Sequence, residues 1–307
     1  MTNPAERVWR RVRASADPRK ALEDEISPAE LKSLLMGVSQ RRAAAVSPAR
    51  LLERWESDRS VRAAGSDPRR VARLEARLWR LLPDEFAGMD LSPVAPLGTC
   101  SAVAPVSQDK VISTTRGTEV VSDLTNVLAL EAALRRRRSG TAPVHLAACH
   151  RVLRGQPFRA PGVFQHFRLF ALVSSARDTG SGGTEAALLT AHLRFWTRAL
   201  ADLLQGRDAM VSWTAFGFPP LAERMRDTVL PALGALPPGV TVAEDPGRER
   251  ARGYYERGAI LIDAAGGEVG DGGFTDWTAR LLGNAKERCL ISCAATERLA
   301  AVADLTW

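Results

Sequence analysis

Several short segments of this 307-residue chain combine arginine with polar and aromatic side chains in a fixed order. A guanidinium group is planar and can donate hydrogen bonds to a phosphate oxygen and to a carboxylate at the same time. An arginine placed this way stabilises the negative charge that builds on a phosphate when a carboxylate attacks it. The segments are residues 149–156 (CHRVLRGQ), 164–167 (FQHF), 252–257 (RGYYER), 272–276 (GGFTD) and 294–299 (AATERL).

In their order and spacing these segments resemble the catalytic core of class II aminoacyl-tRNA synthetases, most of all the histidyl type and its regulatory paralogue. The resemblance covers about residues 92–307. It implies an α+β fold in which an antiparallel sheet is flanked by helices. It also implies a cavity that binds ATP with Mg²⁺ and activates a carboxylate as an acyl-adenylate. No metal site built from protein side chains alone is expected.

The resemblance assigns nucleotide-binding roles to residues of a long hairpin. Arg154 matches the arginine that contacts the α-phosphate, and Arg151 is the neighbouring alternative. Gln156 stands where the family usually has an acid. Phe164 matches the aromatic ring that stacks on adenine, although core packing explains a phenylalanine on a strand equally well.

The last helix of the family carries a second arginine that faces ATP, in a glycine-rich turn that ends Glu-Arg-Leu. Glu297 and Arg298 match that ending. In front of them Cys293 and Ala295 fill positions where the family has glycines, which let a backbone approach the nucleotide. The resemblance therefore makes Arg154 and Arg298 the expected catalytic pair.

The loop that holds the ammonium group of an amino acid in the family resembles residues 121–125 (VSDLT). Asp123 is then the carboxylate that binds the amine, and it equally fits the N-cap of the helix that follows. On the returning strand His166 and Phe170 stand where histidyl enzymes have a glutamine and an acid that reads the imidazole. Histidine is therefore not the expected substrate.

A shortened Arg-Gly-x-x-Tyr-Tyr segment completes the resemblance on the substrate side. It assigns Tyr254 and Tyr255 to the pocket, together with either Arg250 or Arg252. The glycine-rich segment after it contributes Gly273. The aromatic residues beside this glycine suit a ligand more apolar than imidazole.

The composition is that of a globular protein, 45% hydrophobic and 25% charged. A net charge of +7 suits an anionic partner such as ATP or RNA. Because only four of the 42 basic residues are lysines, the base composition of a genome explains the arginine excess as well as selection for binding does. Four cysteines without a CxxC pair, no signal peptide and no long apolar run predict a cytoplasmic protein with free thiols and no membrane segment.

Cysteine and histidine are the residue types of this chain that most often bind zinc. Cys289 and Cys293 could join Cys149 in a zinc site across strands, or all three could be small buried hydrophobes, which is the more usual role. Three histidines are expected to be structural: His145, His150 and His192.

Residues 1–90 are predicted to be almost entirely helical and to form an N-terminal subdomain. Ser27-Pro28-Ala29-Glu30 is a capping box ahead of one helix, and a further helix is predicted over residues 68–83. Residues 91–307 alternate runs of strands with a few helices, which favours an α+β core. Strands are predicted at residues 111–115, 119–122, 144–153, 163–174, 210–216, 254–263 and 289–295.

Two functions follow from the resemblance. The first is a stand-alone enzyme that forms an acyl-adenylate from an amino acid or related carboxylate, with a tRNA, a carrier protein, a peptide or a small molecule as acceptor. The second is a regulatory or ligand-sensing paralogue without synthetase activity. Because the anticodon-binding domain of histidyl enzymes has no counterpart here, ordinary tRNA charging is not expected. Residues 92–115 are predicted to form the interface of a two-fold homodimer.

Overall fold

An eight-stranded mixed sheet forms the centre of the protein in a computed structural model, which describes residues 4–140, 142–158 and 164–305. A separate two-stranded sheet, β2 with β3, lies beside it. The ten strands are β1 (Ala87–Met89), β2 (Val94–Pro96), β3 (Thr118–Val120), β4 (Val144–Leu153), β5 (His166–Arg177), β6 (Ala209–Ala215), β7 (Val240–Glu244), β8 (Gly258–Ala264), β9 (Gly267–Thr275) and β10 (Glu287–Ala295).

The large sheet has the strand order β1-β4-β5-β10-β9-β8-β6-β7. All pairs from β4 to β6 are antiparallel, and only the two edge strands, β1 and β7, pair in parallel with their neighbours. The predicted α+β fold with a sheet flanked by helices is therefore confirmed, with the addition of two parallel edges.

Twelve α-helices are found among the described residues, and they cover both faces of the sheet. Short π-helical turns at Ala21–Glu25 and Met225–Val229 and a 3-10 turn at Gln108–Lys110 complete the helical structure. The helices are α1 (Pro4–Ala14), α2 (Pro18–Lys20), α3 (Pro28–Ala44), α4 (Pro48–Ser57), α5 (Pro68–Leu81), α6 (Thr99–Val103), α7 (Leu124–Ser139), α8 (Gly183–Leu204), α9 (Pro219–Arg224), α10 (Leu230–Leu233), α11 (Trp277–Leu282) and α12 (Thr296–Val302).

Alternation along the strands divides the core into two layers. Phe170 and Leu172 of β5 pack with helices α5 and α8 on one face. Leu169 and Ala171 of the same strand pack with α7 on the other face, where Trp277 of α11 is also buried. Every residue in this sheet is therefore assigned to one face by its position, and the candidate site lies on the α7 face.

The N-terminal helices form a small cluster of their own. The Ser27 hydroxyl and the Glu30 carboxylate form the predicted capping box at the start of α3. Val8, Val12 and Leu34 make the centre of the cluster. In contrast, α5 packs into the main core and β1 pairs with β4, although the sequence grouped both with the N-terminal subdomain. The division at residue 90 stays a prediction, and this packing favours an earlier boundary.

Two of the predicted strands differ in the structure. Residues 111–115 form no strand, and only Ser113 makes an isolated bridge, to Glu119. Tyr254 and Tyr255 lie in a turn ahead of β8 rather than on the strand, because Ala251 and Gly253 take left-handed backbone conformations. Val163, predicted to open β5, lies outside the described residues.

Candidate active site

A cavity of about 720 Å³ opens on the α7 face of the sheet. It lies between the start of α7, the hairpin of β4 and β5, and the central strands β9 and β10. The residues predicted to bind nucleotide all line this cavity: Arg154, Gln156, Phe164, Glu297 and Arg298.

Most of the predicted substrate residues line the same cavity: Asp123, His166, Arg250, Tyr254 and Tyr255. Arg252 and Gly273 do not line it. Gly273 supports the site from behind, since a Cβ atom there would come within 2.5 Å of Cδ1 of Tyr255. Only glycine lets the buried Tyr255 ring lie against the strand.

Arg154 projects to the cavity face at the end of β4. Its guanidinium lies 5.0 Å from the centre of the Phe167 ring. Nε donates to the carbonyl of Ser122 at 3.4 Å, and Nη2 is 3.9 Å from Oδ2 of Asp123. This long ion pair leaves most of the guanidinium nitrogens able to donate to an anion.

Arg298 lies at the exposed edge of the cavity, in the first turn of α12. Its Nη1 donates to the backbone carbonyl of Glu268 at 3.3 Å. It forms no ion pair with any carboxylate of the described residues. A guanidinium with only a carbonyl partner at the edge of a cavity is well placed to receive phosphate oxygens.

Arg151, the alternative to Arg154, points to the opposite face of β4. It donates to Oε1 of Glu297 at 2.8 Å and contacts Nδ1 of His166 at 2.8 Å. The same Glu297 carboxylate accepts hydrogen bonds from the Ser66 hydroxyl and the Arg168 backbone N–H. Glu297 therefore holds the start of α12 beside β5, and its carboxylate is already occupied.

Of the two roles that the sequence left open for Asp123, the structure shows the helix cap, and the binding of an amine stays a prediction. Its Oδ1 accepts hydrogen bonds from the backbone N–H and the hydroxyl of Thr125, at 3.0 and 2.7 Å, and so caps α7. Its Oδ2 takes no part in the cap and contacts only Arg154, at a distance. One oxygen of this carboxylate is therefore left for a ligand.

The structure changes which β5 residues face the cavity. Phe167 and Leu169 line it, whereas Phe170 is buried against Phe195 on the other face. His166 reaches the cavity only at its edge, and its Nε2 lies 2.6 Å from the backbone carbonyl of Arg62. Phe167, which lies under Arg154, is thus the better candidate than Phe164 for stacking on a base.

Arg250 and Arg252, the two alternatives from the sequence, differ in their position relative to the cavity. Arg250 lines the cavity, where its guanidinium pairs with the Glu268 carboxylate. Its Nη2 donates to Oε1 of Glu268 at 3.1 Å. Arg252 pairs with Glu249 and lies over the Phe216 ring instead. Arg250 could contact a ligand only by leaving Glu268.

Asp271 is a cavity residue that the sequence reasoning did not select. Burial, and then the charge of Asp123, raise the pKa of its carboxyl. The charge of Arg248 and the Tyr255 hydroxyl lower this pKa, against the larger effect of burial. Its signal in the sequence was an acid inside the glycine-rich segment 270–273, whose glycines allow close approach of backbone and rings but give no reason for a carboxylate.

The cysteines do not assemble a metal site. Cys149 packs on the α8 face and Cys289 on the α7 face, so one ion cannot reach both. Among the described residues no group of three or more His, Cys, Asp or Glu side chains could hold a metal. Burial raises the pKa of the Cys149 thiol to about 12 and that of Cys289 to about 11, which fits the interpretation as buried small hydrophobes.

The histidines of the core are held by hydroxyl groups. Ser174 Oγ lies 2.9 Å from Nε2 of His192 and 2.7 Å from Nδ1 of His145. Ser292 Oγ contacts the other nitrogen of His192 at 2.8 Å. Burial lowers the pKa of both rings. They are on the face away from the cavity, where neutral rings join strands to α8.

No family model and no curated protein sequence matches this chain. Solved structures do. An ATP phosphoribosyltransferase regulatory subunit/histidyl-tRNA synthetase from Bacillus halodurans C aligns over 79% of this chain and 82% of its own, with a TM-score of 0.62 and 10% identity. Histidyl-tRNA synthetase from Nostoc sp. PCC 7120 aligns over 79% and 73%, with a TM-score of 0.57 and 14% identity.

A third similar structure extends over nearly the whole chain. Pyrrolysyl-tRNA synthetase from Desulfitobacterium hafniense aligns over 98% of this chain and 89% of its own, with a TM-score of 0.50 and 12% identity. At such identities the likeness is one of fold. The chain has the fold of a class II aminoacyl-tRNA synthetase catalytic core.

Proposed function

We propose that this protein binds ATP and an amino acid in the cavity and joins them as an aminoacyl-adenylate. The observation that carries the proposal is which arginines in and beside the cavity are paired with carboxylates. Arg151 and Arg250 are held by close carboxylates. Arg154 and Arg298, which are far apart in the sequence, line one cavity, and neither has a close carboxylate partner among the described residues.

The reaction needs positive charge at one place and negative charge at another. A carboxylate oxygen of the amino acid attacks the α-phosphorus of ATP, an O–P bond forms, and the bond to the β-phosphate oxygen breaks to release pyrophosphate. Arg154 would stabilise the charge on the α-phosphate, and Arg298 the charge on the leaving phosphates. Oδ2 of Asp123 would receive the ammonium group and so orient the carboxylate for attack.

The burial of these groups supports the same arrangement. Arg298 is exposed and Arg154 is half-buried, so the cations lie toward the opening. Asp123 and Asp271 are partly buried, and the Asp123 side chain is 22% exposed against 35% for Arg154. A polyphosphate at the mouth and an ammonium group further in would each meet opposite charge.

The cavity offers contacts for the adenine of ATP, but no cluster of protein ligands for Mg²⁺ among the described residues. Phe167 offers a ring for adenine, while Gln156 brings a neutral side chain. Mg²⁺ usually keeps several waters and binds through one or two carboxylates and substrate phosphates. Because the described residues offer no cluster of three ligands, Mg²⁺ would arrive with ATP and lower the charge of its phosphates.

Amino-acid-dependent exchange of pyrophosphate into ATP tests the proposal across a panel of amino acids. We expect exchange in the wild type and a loss of at least about 100-fold in Arg154→Ala and in Arg298→Ala, as for removal of one preorganised donor. Arg252→Ala is the matched control, since this arginine is outside the cavity. The proposal would be contradicted if no amino acid supported pyrophosphate exchange, or if all three variants lost exchange activity equally.

A regulatory or ligand-sensing role is the second candidate, and one observation favours it. Cys293 and Ala295 place side chains at the end of β10, just before α12, where the resembled family has glycine, and both line the cavity. Binding of an amino acid without any exchange of pyrophosphate would support this role. Calorimetric titration of the wild type with the same panel measures it.

The partners beyond the cavity are part of the same proposal. An activated acid needs an acceptor, and a tRNA or a carrier protein would suit the basic net charge of +7. No helix in the described part of the chain is long and apolar enough to cross a membrane. Transfer of radiolabelled amino acid to total tRNA, against transfer to protein, distinguishes the acceptors.

A further inference from the structure

Asp271 lies on the central strand β9, beside Cys293 of β10. Both residues line the cavity, so the carboxylate faces the space rather than the core. Two residues along the same strand, Gly273 allows the Tyr255 ring to lie beside it. The Tyr255 hydroxyl acts on this carboxyl by lowering its pKa, against the larger effect of burial.

This carboxylate lacks a counter-charge. It forms no ion pair with any Lys, Arg or His of the described residues. The cation that acts on its pKa is Arg248, whose Nε donates to the carbonyl of Arg250 and whose Nη1 and Nη2 are buried without a hydrogen-bond partner among the described residues. The charge of Asp123 acts against that of Asp271. Two neighbouring carboxylates away from bulk water are costly unless cations compensate them.

Asn126 offers a further acceptor in the cavity. Asn126 is 2% exposed, and its Nδ2 donates to the Cys100 sulfur at 3.4 Å. Its Oδ1 has no hydrogen-bond partner, and the residue lines the cavity. Three acceptors of the cavity are therefore open, which are Oδ1 of Asn126, Oδ2 of Asp123 and the carboxylate of Asp271, and the unpartnered Ser122 hydroxyl can accept or donate.

We propose that the acid activated here is a basic amino acid, whose side-chain ammonium or guanidinium group binds Asp271 while its α-ammonium binds Asp123. Ammonium and guanidinium groups carry only donors, which is what the free acceptors require. The rings of Tyr254 and Tyr255 and the side chains of Leu169 and Ile291 line the space around an aliphatic chain. An aromatic face also attracts the cation itself. The inference rests on the proposed function, since it names the substrate class of the same cavity.

Two isosteric pairs of probes test this: L-arginine against L-citrulline, and L-lysine against L-2-aminoheptanoic acid. Each pair keeps the length of the side chain and removes its charge. We expect wild-type pyrophosphate exchange to favour the basic member of one pair by at least about 100-fold, because a site built for hydrogen bonding rejects an analogue that leaves its groups unpaired. Asp271→Asn should abolish or invert that preference.

The control variant is Asp276→Asn. Asp276 follows the same strand and pairs with Arg280, but it does not line the cavity. It should keep the wild-type preference. Thermal melting of both variants checks that they fold, and calorimetric titration with the four amino acids, without ATP, measures binding independently of catalysis.

The outcomes separate the two proposals. Exchange that favours the neutral amino acids, or is unchanged in Asp271→Asn, overturns the inference and leaves adenylate formation standing. Binding of a basic amino acid that depends on Asp271, without exchange, sinks adenylate formation and supports the inference as a ligand site. If none of the four amino acids supports exchange and none binds, the inference is overturned. The wider panel of amino acids then tests adenylate formation.

Discussion

At the scale of single residues, strand alternation decides which arginine can act. Arg151 and Arg154 are three positions apart on and just after β4, so their side chains leave opposite faces of the sheet. Arg151 meets Glu297 on one face, and Arg154 meets the cavity on the other. The sequence could offer both as candidates, but only the position of the sheet between two helix layers separates them.

Gly273→Ala tests the support behind Tyr255. The added methyl group would lie 2.5 Å from Cδ1 of Tyr255 and 2.7 Å from the Gly258 carbonyl, so the ring must move. We expect a loss of about 1–3 kcal/mol in the free energy of unfolding, typical of overpacking. Urea denaturation measures it. Gly267→Ala, on the same strand with its nearest atom at 3.9 Å, should cost little, and equal losses would contradict this account.

Asp271 makes the stability of the free protein depend on pH. Because the folded protein raises the pKa of this carboxyl above its unfolded value, its contribution to stability is fully present below the unfolded pKa and is lost as pH rises through the folded pKa. Asp271→Asn removes this loss. We expect the variant to gain stability over the wild type as pH goes from acidic to neutral, by about 1.4 kcal/mol for each unit by which the pKa is raised. Denaturation at several pH values measures the difference, and a constant difference would contradict it.

At the scale of elements, α7 is the support that positions Asp123. Its N-terminus is capped by that residue, and its last turn is tied to β10 by Arg136 and Glu287. The two side chains are 1% and 5% exposed and form two hydrogen bonds, at 2.9 and 3.1 Å. This pair fixes the helix to the sheet, so it fixes the direction in which Asp123 points.

Glu287→Gln should loosen that attachment. The variant leaves the buried Arg136 charge without an anion, which typically costs about 3–5 kcal/mol. Thermal or urea unfolding measures the loss. Glu131→Gln is the matched control, because Glu131 pairs with Arg135 on the same helix where both side chains are partly exposed, and such pairs contribute about 0.2–0.5 kcal/mol. Similar losses in both variants would show that α7 is not held in this way.

The helix caps were easier to predict from the sequence than the faces of the strands. The capping box at Ser27 and the cap at Asp123 were predictable, because they are local chemistry written within a few residues. The sequence did not predict which side chains of β5 lie on which face of the sheet, because a shift of one residue in register exchanges the two faces of a strand. Phe164 was predicted and lines the cavity, whereas Phe167 was not predicted, because only the pairing of Val152 with Phe167 shows that it faces the cavity too. Asp271 was missed because the use of a carboxylate in a glycine-rich segment depends on distant neighbours.

At the scale of the whole molecule, the N-terminal helices are tied to the edge of the cavity where Glu297 and Arg298 lie. The segment of residues 58–66, which follows α4, lies along the hairpin. The carbonyl of Arg62 contacts His166, and the hydroxyl of Ser66 donates to Glu297. Because Glu297 precedes Arg298 in α12, movement of the N-terminal helices would reach the cavity through this carboxylate. Nothing in the sequence pattern of residues 58–66 predicted this connection.

The predicted dimer gives the last test. Residues 92–115 contain one large exposed hydrophobic side chain, Leu97, at 53% exposure. Helix α4 offers a rival surface with Leu51, Leu52 and Trp55, and Leu52 is 63% exposed. If residues 92–115 form the interface, Leu97→Asp should weaken association by about 10-fold or more, because it removes the roughly 1.5–3 kcal/mol of a buried leucine and adds a charge.

Light scattering with size-exclusion chromatography over a range of concentrations measures this, and Leu52→Asp is the control. A dimer weakened by Leu97→Asp alone supports the interface at residues 92–115. A dimer weakened by Leu52→Asp alone moves the interface to α4, where it would act on the segment that contacts Glu297. A wild type that stays monomeric at every concentration removes the dimer, and the cavity must then work within one chain, since every residue proposed for it comes from a single copy.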